Sequence, residues 1–101
     1  MSRFDVYARP GRTGVGYVID VQADALTIFP SRVVVPLIHH AEAPKPFRGL
    51  NPVFMIAGQS YLMLTQAIGT VPTKELRSPV LSLDDRSDDI MRALDFLLVG
   101  Y

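Results

Sequence analysis

The sequence of 101 residues contains no cysteine and carries no excess of charge of either sign. Without cysteine the chain can form no disulfide, no thiolate nucleophile and no cysteine-ligated zinc site. Its ten Lys and Arg residues balance ten Asp and Glu residues, so the formal net charge at pH 7 is zero. Because binding to a phosphate backbone depends mainly on cationic contacts, no direct nucleic-acid binding is expected.

Long hydrophobic runs are also missing. The first ten residues contain no apolar signal segment, and no apolar run approaches the roughly 20 residues that are needed to cross a bilayer. We therefore expect a cytoplasmic protein without membrane association. Apolar residues make up 49% of the chain and charged residues 20%, which is typical of a globular protein. The length fits one domain covering residues 1–101.

The last stretch, residues 84–101, has the apolar spacing of a helix. Several aspartates at its beginning match the positive end of a helix dipole, and Ser82 adds a weak capping signal. Phe96 and Val99 fall on the polar side of this helix, which predicts a partner surface, although single exposed hydrophobic residues are also ordinary. The predicted buried stripe consists of Ile90, Met91, Leu94, Leu97 and Leu98.

The rest of the chain predicts short strands. Alternating residues indicate strands at 4–7 and 17–21, joined by a glycine-rich hairpin loop that begins at Arg9-Pro10-Gly11. A β-branched run predicts a strand over 32–37 that reaches a sheet edge at Pro36. About five short strands and one terminal helix predict a mainly β α+β fold, a small antiparallel sheet or open barrel with the helix packed on it. Further elements predicted are loops at 23–31 and 41–51, a hairpin of 53–56 and 59–65 around Ala57-Gly58, and a strand at 70–72.

No residues indicate catalysis. His39, His40 and Glu42 form the one cluster that resembles a metal site, but adjacent histidines on an extended segment point in opposite directions and further ligands are missing. The aspartate pairs 84–85 and 88–89 are explained by the helix dipole. A Ser-His-Asp arrangement is not marked by any motif, although spacing alone leaves it open. We predict a protein that binds another protein, with no cofactor and no metal.

Taken in order, several short segments resemble the CcdB family of toxins. They are Phe4 to Tyr7, Asp20-Val21-Gln22, Arg32 with Val35-Pro36-Leu37, Pro52-Val53, Val71-Pro72, Asp89-Ile90 and the penultimate Gly100. The resemblance implies an SH3-like sheet with a small extra three-stranded sheet and one C-terminal helix. It also implies a homodimer in which the two chain ends lie close together, and we place Phe96 and Val99 in that interface.

The resemblance further implies a toxin of a type II toxin-antitoxin module, of the kind that supports plasmid maintenance. Such a toxin binds the DNA gyrase A subunit and traps the gyrase-cleaved DNA complex, and a cognate antitoxin neutralises it. The gyrase-binding positions carried over are Ala25, Leu26, Asp95, Val99, Gly100 and Tyr101. Val99 departs from the family pattern, which has tryptophan at this position. For the antitoxin we predict an acidic tail that contacts Arg9 and Arg12 beside the first hairpin loop.

Two alternatives stay open. MazF-like endoribonuclease toxins resemble the same sheet-and-helix architecture, and a fold does not determine a function. This chain lacks the N-terminal Arg-Gly-Asp-like motif that those enzymes share. The other alternative is a CcdB paralogue that binds antitoxin but no longer poisons gyrase, which Val99 makes credible.

Overall fold

The computed structural model describes residues 2–12 and 15–100. Over these ranges it contains seven strands, several single turns of 3-10 helix and one α-helix. The strands are β1 Asp5–Arg12, β2 Val15–Asp20, β3 Ser31–His39, β4 Val53–Ile56, β5 Gln59–Met63, β6 Gly69–Pro72 and β7 Leu81–Ser82, and the helix is α1 Ser87–Val99.

The strands form one curled antiparallel sheet in the order β4-β5-β3-β2-β1-β7, and β6 branches from β3. The long strand β3 makes this branch possible. One of its sides pairs with β2, while the other pairs first with β6 and then with β5. With α1 packed on the sheet, the mainly β α+β fold is confirmed. The extra strands join the main sheet at β3 and do not form a sheet of their own.

Pro36 does not lie at a sheet edge, so that prediction is wrong. It is paired with Val18 of β2 in the middle of the sheet. Its carbonyl accepts a hydrogen bond from the Leu64 N–H at 2.9 Å, on the side of β3 that faces β5 and β6. Since N–H and C=O of one strand residue point to the same side, the N–H that proline lacks would face the gap between these two strands. The proline therefore interrupts no ladder.

The first hairpin is confirmed, with Val6 opposite Ile19 and Tyr7 opposite Val18. Its first strand, however, runs through Pro10 to Arg12, so the predicted end at Arg9-Pro10-Gly11 is wrong. Two features allow a proline there. The register shifts between Ala8 and Arg12, and β7 pairs only with Asp5 and Val6, so the far side of β1 needs no donor at Pro10.

The helix packs on one face of the sheet and completes the main core. Ile90, Ala93 and Leu94 are buried in it, while Met91 packs at its margin. Leu98 was predicted in the buried stripe but is 73% exposed. At about 100° per residue, Leu98 lies about 80° around the helix from Ile90, at the edge of the stripe. The partly buried Leu97 takes the inner position in that last turn.

The opposite face of the sheet carries a smaller core and a buried ion pair. Tyr7, Val18, Val34 and Leu76 form this second cluster. Beside it, Arg32 Nη2 and Nε lie 2.6 and 2.9 Å from Asp20 Oδ2, and both side chains are almost completely buried. Burial raises the pKa of Asp20, although the hydrogen bond from Arg32 acts in the opposite direction.

None of the helices within the described residues is long and apolar enough to cross a membrane.

Candidate functional site

Arg3 connects the loop after β2 to the helix. Its backbone N–H donates to Asp24 Oδ1 at 2.7 Å, and its guanidinium donates to the Val21 carbonyl at 3.0 Å and contacts Met91 Sδ at 3.2 Å. Asp24 begins the single 3-10 turn Asp24–Leu26, which was predicted as plain loop. This turn carries the predicted gyrase-binding residues Ala25 and Leu26. The loop is therefore fixed beside the Met91 face of α1.

The same helix face continues to the predicted residues at the chain end. Asp95 and Val99 follow Met91 at intervals of four residues, so at about 100° per residue Asp95 lies about 40° and Val99 about 80° around the helix from Met91. Asp95 and Val99 are both exposed, and so is Leu98 beside them. The Arg3 contacts thus join the turn that carries Ala25 and Leu26 to Met91, on the same helix as Asp95 and Val99.

Gly100 ends the helix in a left-handed conformation, with φ of 94°. Its N–H donates to the carbonyls of Asp95 at 3.3 Å and Phe96 at 3.0 Å. These carbonyls belong to the last turn, where carbonyl groups otherwise lack a hydrogen-bond partner within the helix. Gly100 is therefore a C-terminal cap as well as a predicted contact residue. Tyr101 lies outside the described residues.

Phe96 does not stand free in water. Its ring lies 5.9 Å from the ring of Phe47, and Gly49 packs against it as well. The chain itself therefore supplies part of the contact that we predicted for a partner. At the helix end, Val99, which is 58% exposed, and Leu98 offer more free apolar surface than Phe96.

The loop after β2 presents more apolar surface than the two predicted residues. Leu26 is 44% exposed, Ile28 85% and Phe29 54%. The loop is held at both ends, because Gln22 Nε2 donates to the Leu26 carbonyl at 2.8 Å and the Thr73 N–H donates to the Pro30 carbonyl at 2.9 Å. The sequence analysis missed Ile28 and Phe29 as surface residues; two large hydrophobic residues next to Pro30 in a predicted loop were the available signal.

A separate cavity lies beside Arg9, on the sheet face opposite the helix. It has a volume of about 190 Å³. Its wall is apolar except for Arg9 and Thr70, and it is lined mainly by Val18, Val34, Pro36, Ala67 and Val71. Arg9 Nη1 is 3.0 Å from Glu75 Oε1; the Arg9 side chain is 16% exposed and that of Glu75 is 45% exposed. Arg12 ends β1, and its side chain lies outside the described part of the structure.

His39 uses both ring nitrogens within the fold. Nδ1 accepts from the Ala41 N–H at 3.2 Å, and Nε2 lies 2.7 Å from Gln59 Oε1. This side chain therefore caps the 3-10 turn His40–Glu42, which was predicted as loop. Across residues 2–12 and 15–100, no group of three or more His, Cys, Asp or Glu side chains could hold a metal ion.

The family comparison covers almost the whole chain. The family model described as "CcdB protein" matches residues 3–100, a range that includes both the Arg3 connection and the helix up to its cap.

Proposed function

The chain belongs to the CcdB family, and from this premise we propose that it is a toxin of a type II toxin-antitoxin module that binds the DNA gyrase A subunit. It would trap the gyrase-cleaved DNA complex. Proteins of this family act by binding another protein and not by catalysis, so no residue of the chain is assigned a catalytic role. The observation that supports the proposal is the Arg3 connection, which joins the turn that carries Leu26 to Met91 of α1, the helix that also carries Asp95 and Val99.

The apolar character of this side supports a protein target. Leu26, Ile28, Leu98 and Val99 are all substantially exposed, and grouped exposed hydrophobic residues are typical of interaction surfaces. We propose that Ala25, Leu26, Asp95, Val99, Gly100 and Tyr101 contact gyrase. Two copies of the chain would then meet through their helix ends, where Val99 and Leu98 contribute more than the half-covered Phe96.

We place the antitoxin on the opposite sheet face, at the Arg9 cavity. Its volume suits a single apolar side chain, and Arg9 at its margin would pair with a carboxylate of an acidic antitoxin tail. Arg9 contacts Glu75, whose side chain is 45% exposed, and we propose that a carboxylate of the antitoxin replaces Glu75 at the guanidinium.

A supercoiled-plasmid cleavage assay with purified gyrase tests the target. We expect the wild-type chain to accumulate linear DNA and Val99→Asp to accumulate much less, since a charge would disrupt an apolar contact. Met55→Asp is the matched control, because Met55 is 61% exposed on β4. Val99→Trp should trap more, since stacking on an arginine is worth roughly 0.5 to 2 kcal/mol, or about two- to thirtyfold in affinity.

Two results would favour the alternatives. Cleavage of RNA with no trapping of DNA would identify an endoribonuclease. Tight antitoxin binding with no trapping by the wild type, but trapping by Val99→Trp, would identify a paralogue that has lost gyrase poisoning.

A further inference from the structure

Strand β4 lies at one end of the sheet, where its pairing partner is β5. An edge strand has one side on which the backbone N–H and C=O groups lack a strand partner, and proteins usually protect this side with a charged residue, a proline or a bulge. β4 contains none of these. Its sequence is VFMI, and its register with β5 runs without a shift.

The direction of each backbone group in β4 follows from the turn after it. The two-residue turn 57–58 makes Ile56, the residue before it, a hydrogen-bonded partner of β5. Such hydrogen-bonded pairs recur at every second residue, and the Met63 N–H accordingly donates to the Pro52 carbonyl at 2.9 Å. The backbone groups of Phe54, halfway between these positions, therefore also point to β5.

Val53 and Met55 lie between the hydrogen-bonded positions, so their N–H and C=O groups point away from β5. Within residues 2–12 and 15–100, no backbone hydrogen bond outside the pairing of the strands involves either residue. The Met55 side chain is 61% exposed as well. We call the outward backbone groups and side chains of these two residues the β4 edge.

The charges near the β4 edge decide which partner fits. Residues 50–73, which include both strands of this hairpin, contain no Asp, Glu, Lys or Arg. Arg86 reaches β4 from the start of the helix, but it stacks on the Phe54 ring at 4.6 Å and is paired with Asp89 at 2.8 Å. An acidic or basic segment therefore finds no complementary charge in this hairpin, whereas an uncharged strand meets no repulsion there.

A second copy of β4 is such an uncharged strand. Two identical strands can pair antiparallel about a twofold axis, and with Phe54 on this axis Val53 stands opposite Met55 of the second copy. The outward backbone groups of these two residues then exchange hydrogen bonds, and the axis repeats the exchange. Residues two apart share one face of a strand, so Val53 of one copy also covers the exposed Met55 side chain of the other.

We propose that the β4 edge pairs with the β4 edge of a second copy and joins two sheets into one. This contact uses neither Leu98 nor Val99, so it is separate from the dimer proposed at the helix ends. A strand of four residues buries little area, and the contact should therefore be weak and form only well above micromolar concentration. The proposal does not depend on gyrase or antitoxin binding.

Amide hydrogen exchange of the full chain, followed by NMR, tests the pairing residue by residue. As the protein concentration rises from about 10 μM to about 1 mM, we expect exchange at Val53 and Met55 to slow by about threefold or more. Phe54 and Ile56 are controls within the same strand. Their N–H groups already point to β5, so their exchange should change much less.

Three variants separate charge from side-chain shape. Met55→Lys should abolish the slowing, because a lysine on an edge strand opposes pairing with another strand. Met55→Thr keeps an uncharged residue that favours strands and should retain the slowing. Val80→Lys adds the same charge at another exposed apolar position, where the side chain is 51% exposed, and should also retain it.

Four outcomes would overturn the proposal. Exchange at Val53 and Met55 that does not depend on concentration, or slowing that survives Met55→Lys, would show that the β4 edge does not pair. Slowing that is lost in Leu98→Lys would assign the protection to the helix ends. Slowing at constant protein concentration on addition of an acidic synthetic peptide, with none on addition of more protein, would assign the edge to a different partner.

Discussion

The buried pair of Asp20 and Arg32 shows how one interaction can be costly to form and costly to break. The raised pKa of Asp20 means that burial disfavours its charge more than its partners favour it. Yet Arg32 cannot lose its own charge, and its Nη1 is buried without a hydrogen-bond partner in the described structure. Removing Asp20 alone would leave a buried cation uncompensated.

Arg32→Leu should therefore lower the free energy of unfolding by roughly 3 to 5 kcal/mol, because it leaves a buried carboxylate unpaired. The double change Asp20→Val with Arg32→Leu should lose less than Arg32→Leu alone, since no buried charge remains. Denaturant unfolding of the wild type and these variants measures both values. Arg92→Leu, in the exposed pair with Asp89, is the control and should change the free energy by less than about 1 kcal/mol. The Gln22 N–H also donates to Asp20 Oδ1 at 3.0 Å, and a double variant as unstable as the single one would show that loss of this hydrogen bond outweighs removal of the buried charge.

Leu94 and Leu98 form a matched pair on one helix. Leu94 is buried in the main core, whereas Leu98 is mostly exposed. Leu94→Ala should cost roughly 2 to 5 kcal/mol because it opens a cavity. Leu98→Ala should stay within about 0.5 kcal/mol when the chain is dilute enough to be monomeric, because the proposed dimer contact of Leu98 is then absent. Thermal unfolding distinguishes them, and equal losses would mean that the last turn of α1 is buried in solution.

At the scale of elements, the hairpin of β4 and β5 turns through two residues with positive φ, Ala57 at 53° and Gly58 at 78°. Glycine adopts this conformation readily, but alanine does so at a cost. Ala57→Asn should stabilise the protein by about 0.5 to 1 kcal/mol, since asparagine tolerates the left-handed region and favours such turns. A melting temperature that falls on this change would show that the exposed turn has another role.

The elements that were predicted correctly depend on neighbours close in the chain. Alternation and tight turns indicate the two hairpins, and helical spacing indicates α1. The errors depend on distant residues. Pro36 was predicted at a sheet edge because the sequence does not show that β5 and β6 share one side of β3. The position of Phe96 against Phe47 brings together a loop and a helix that are far apart in sequence, and no local pattern encodes it.

In the candidate site, too, local patterns were predictable from the sequence and contacts between distant residues were not. Asp95, Val99 and Leu26 came from the family resemblance, but the contacts of Arg3 that join the Leu26 turn to the helix involve residues up to 88 positions apart. The helical pattern pointed to Val99 as exposed, and it is. It placed Leu98 in the core because periodicity alone does not show where the sheet beneath a helix ends.

At the scale of the molecule, the sheet separates two proposed surfaces. The helix that ends at Val99 packs on one face through Ile90 and Leu94, in the same core as Ile19 and Val35, while Arg9 and its cavity occupy the other face, with Val18 and Val34. We therefore expect Arg9→Ala to weaken antitoxin binding without reducing gyrase trapping, and Val99→Asp to do the reverse. Calorimetry with the antitoxin and the plasmid cleavage assay measure the two effects. If either variant lost both activities and remained folded, the two partners would share a surface.

The helix end should also determine the oligomeric state. A twofold dimer uses the same patch on both copies, so each apolar residue in the patch counts twice. Leu98 and Val99 are adjacent and largely exposed at the last turn, just before the Gly100 cap. Leu98→Lys would place two like charges near the axis, and we expect it to convert a dimer to a monomer in sedimentation at micromolar concentration. Met55→Lys adds the same charge at an exposed apolar site on β4 and should leave the dimer intact. If the wild type sediments as a monomer at this concentration, or if Leu98→Lys remains dimeric, then the helix ends do not join the copies and the exposed Leu98 and Val99 are free for gyrase alone.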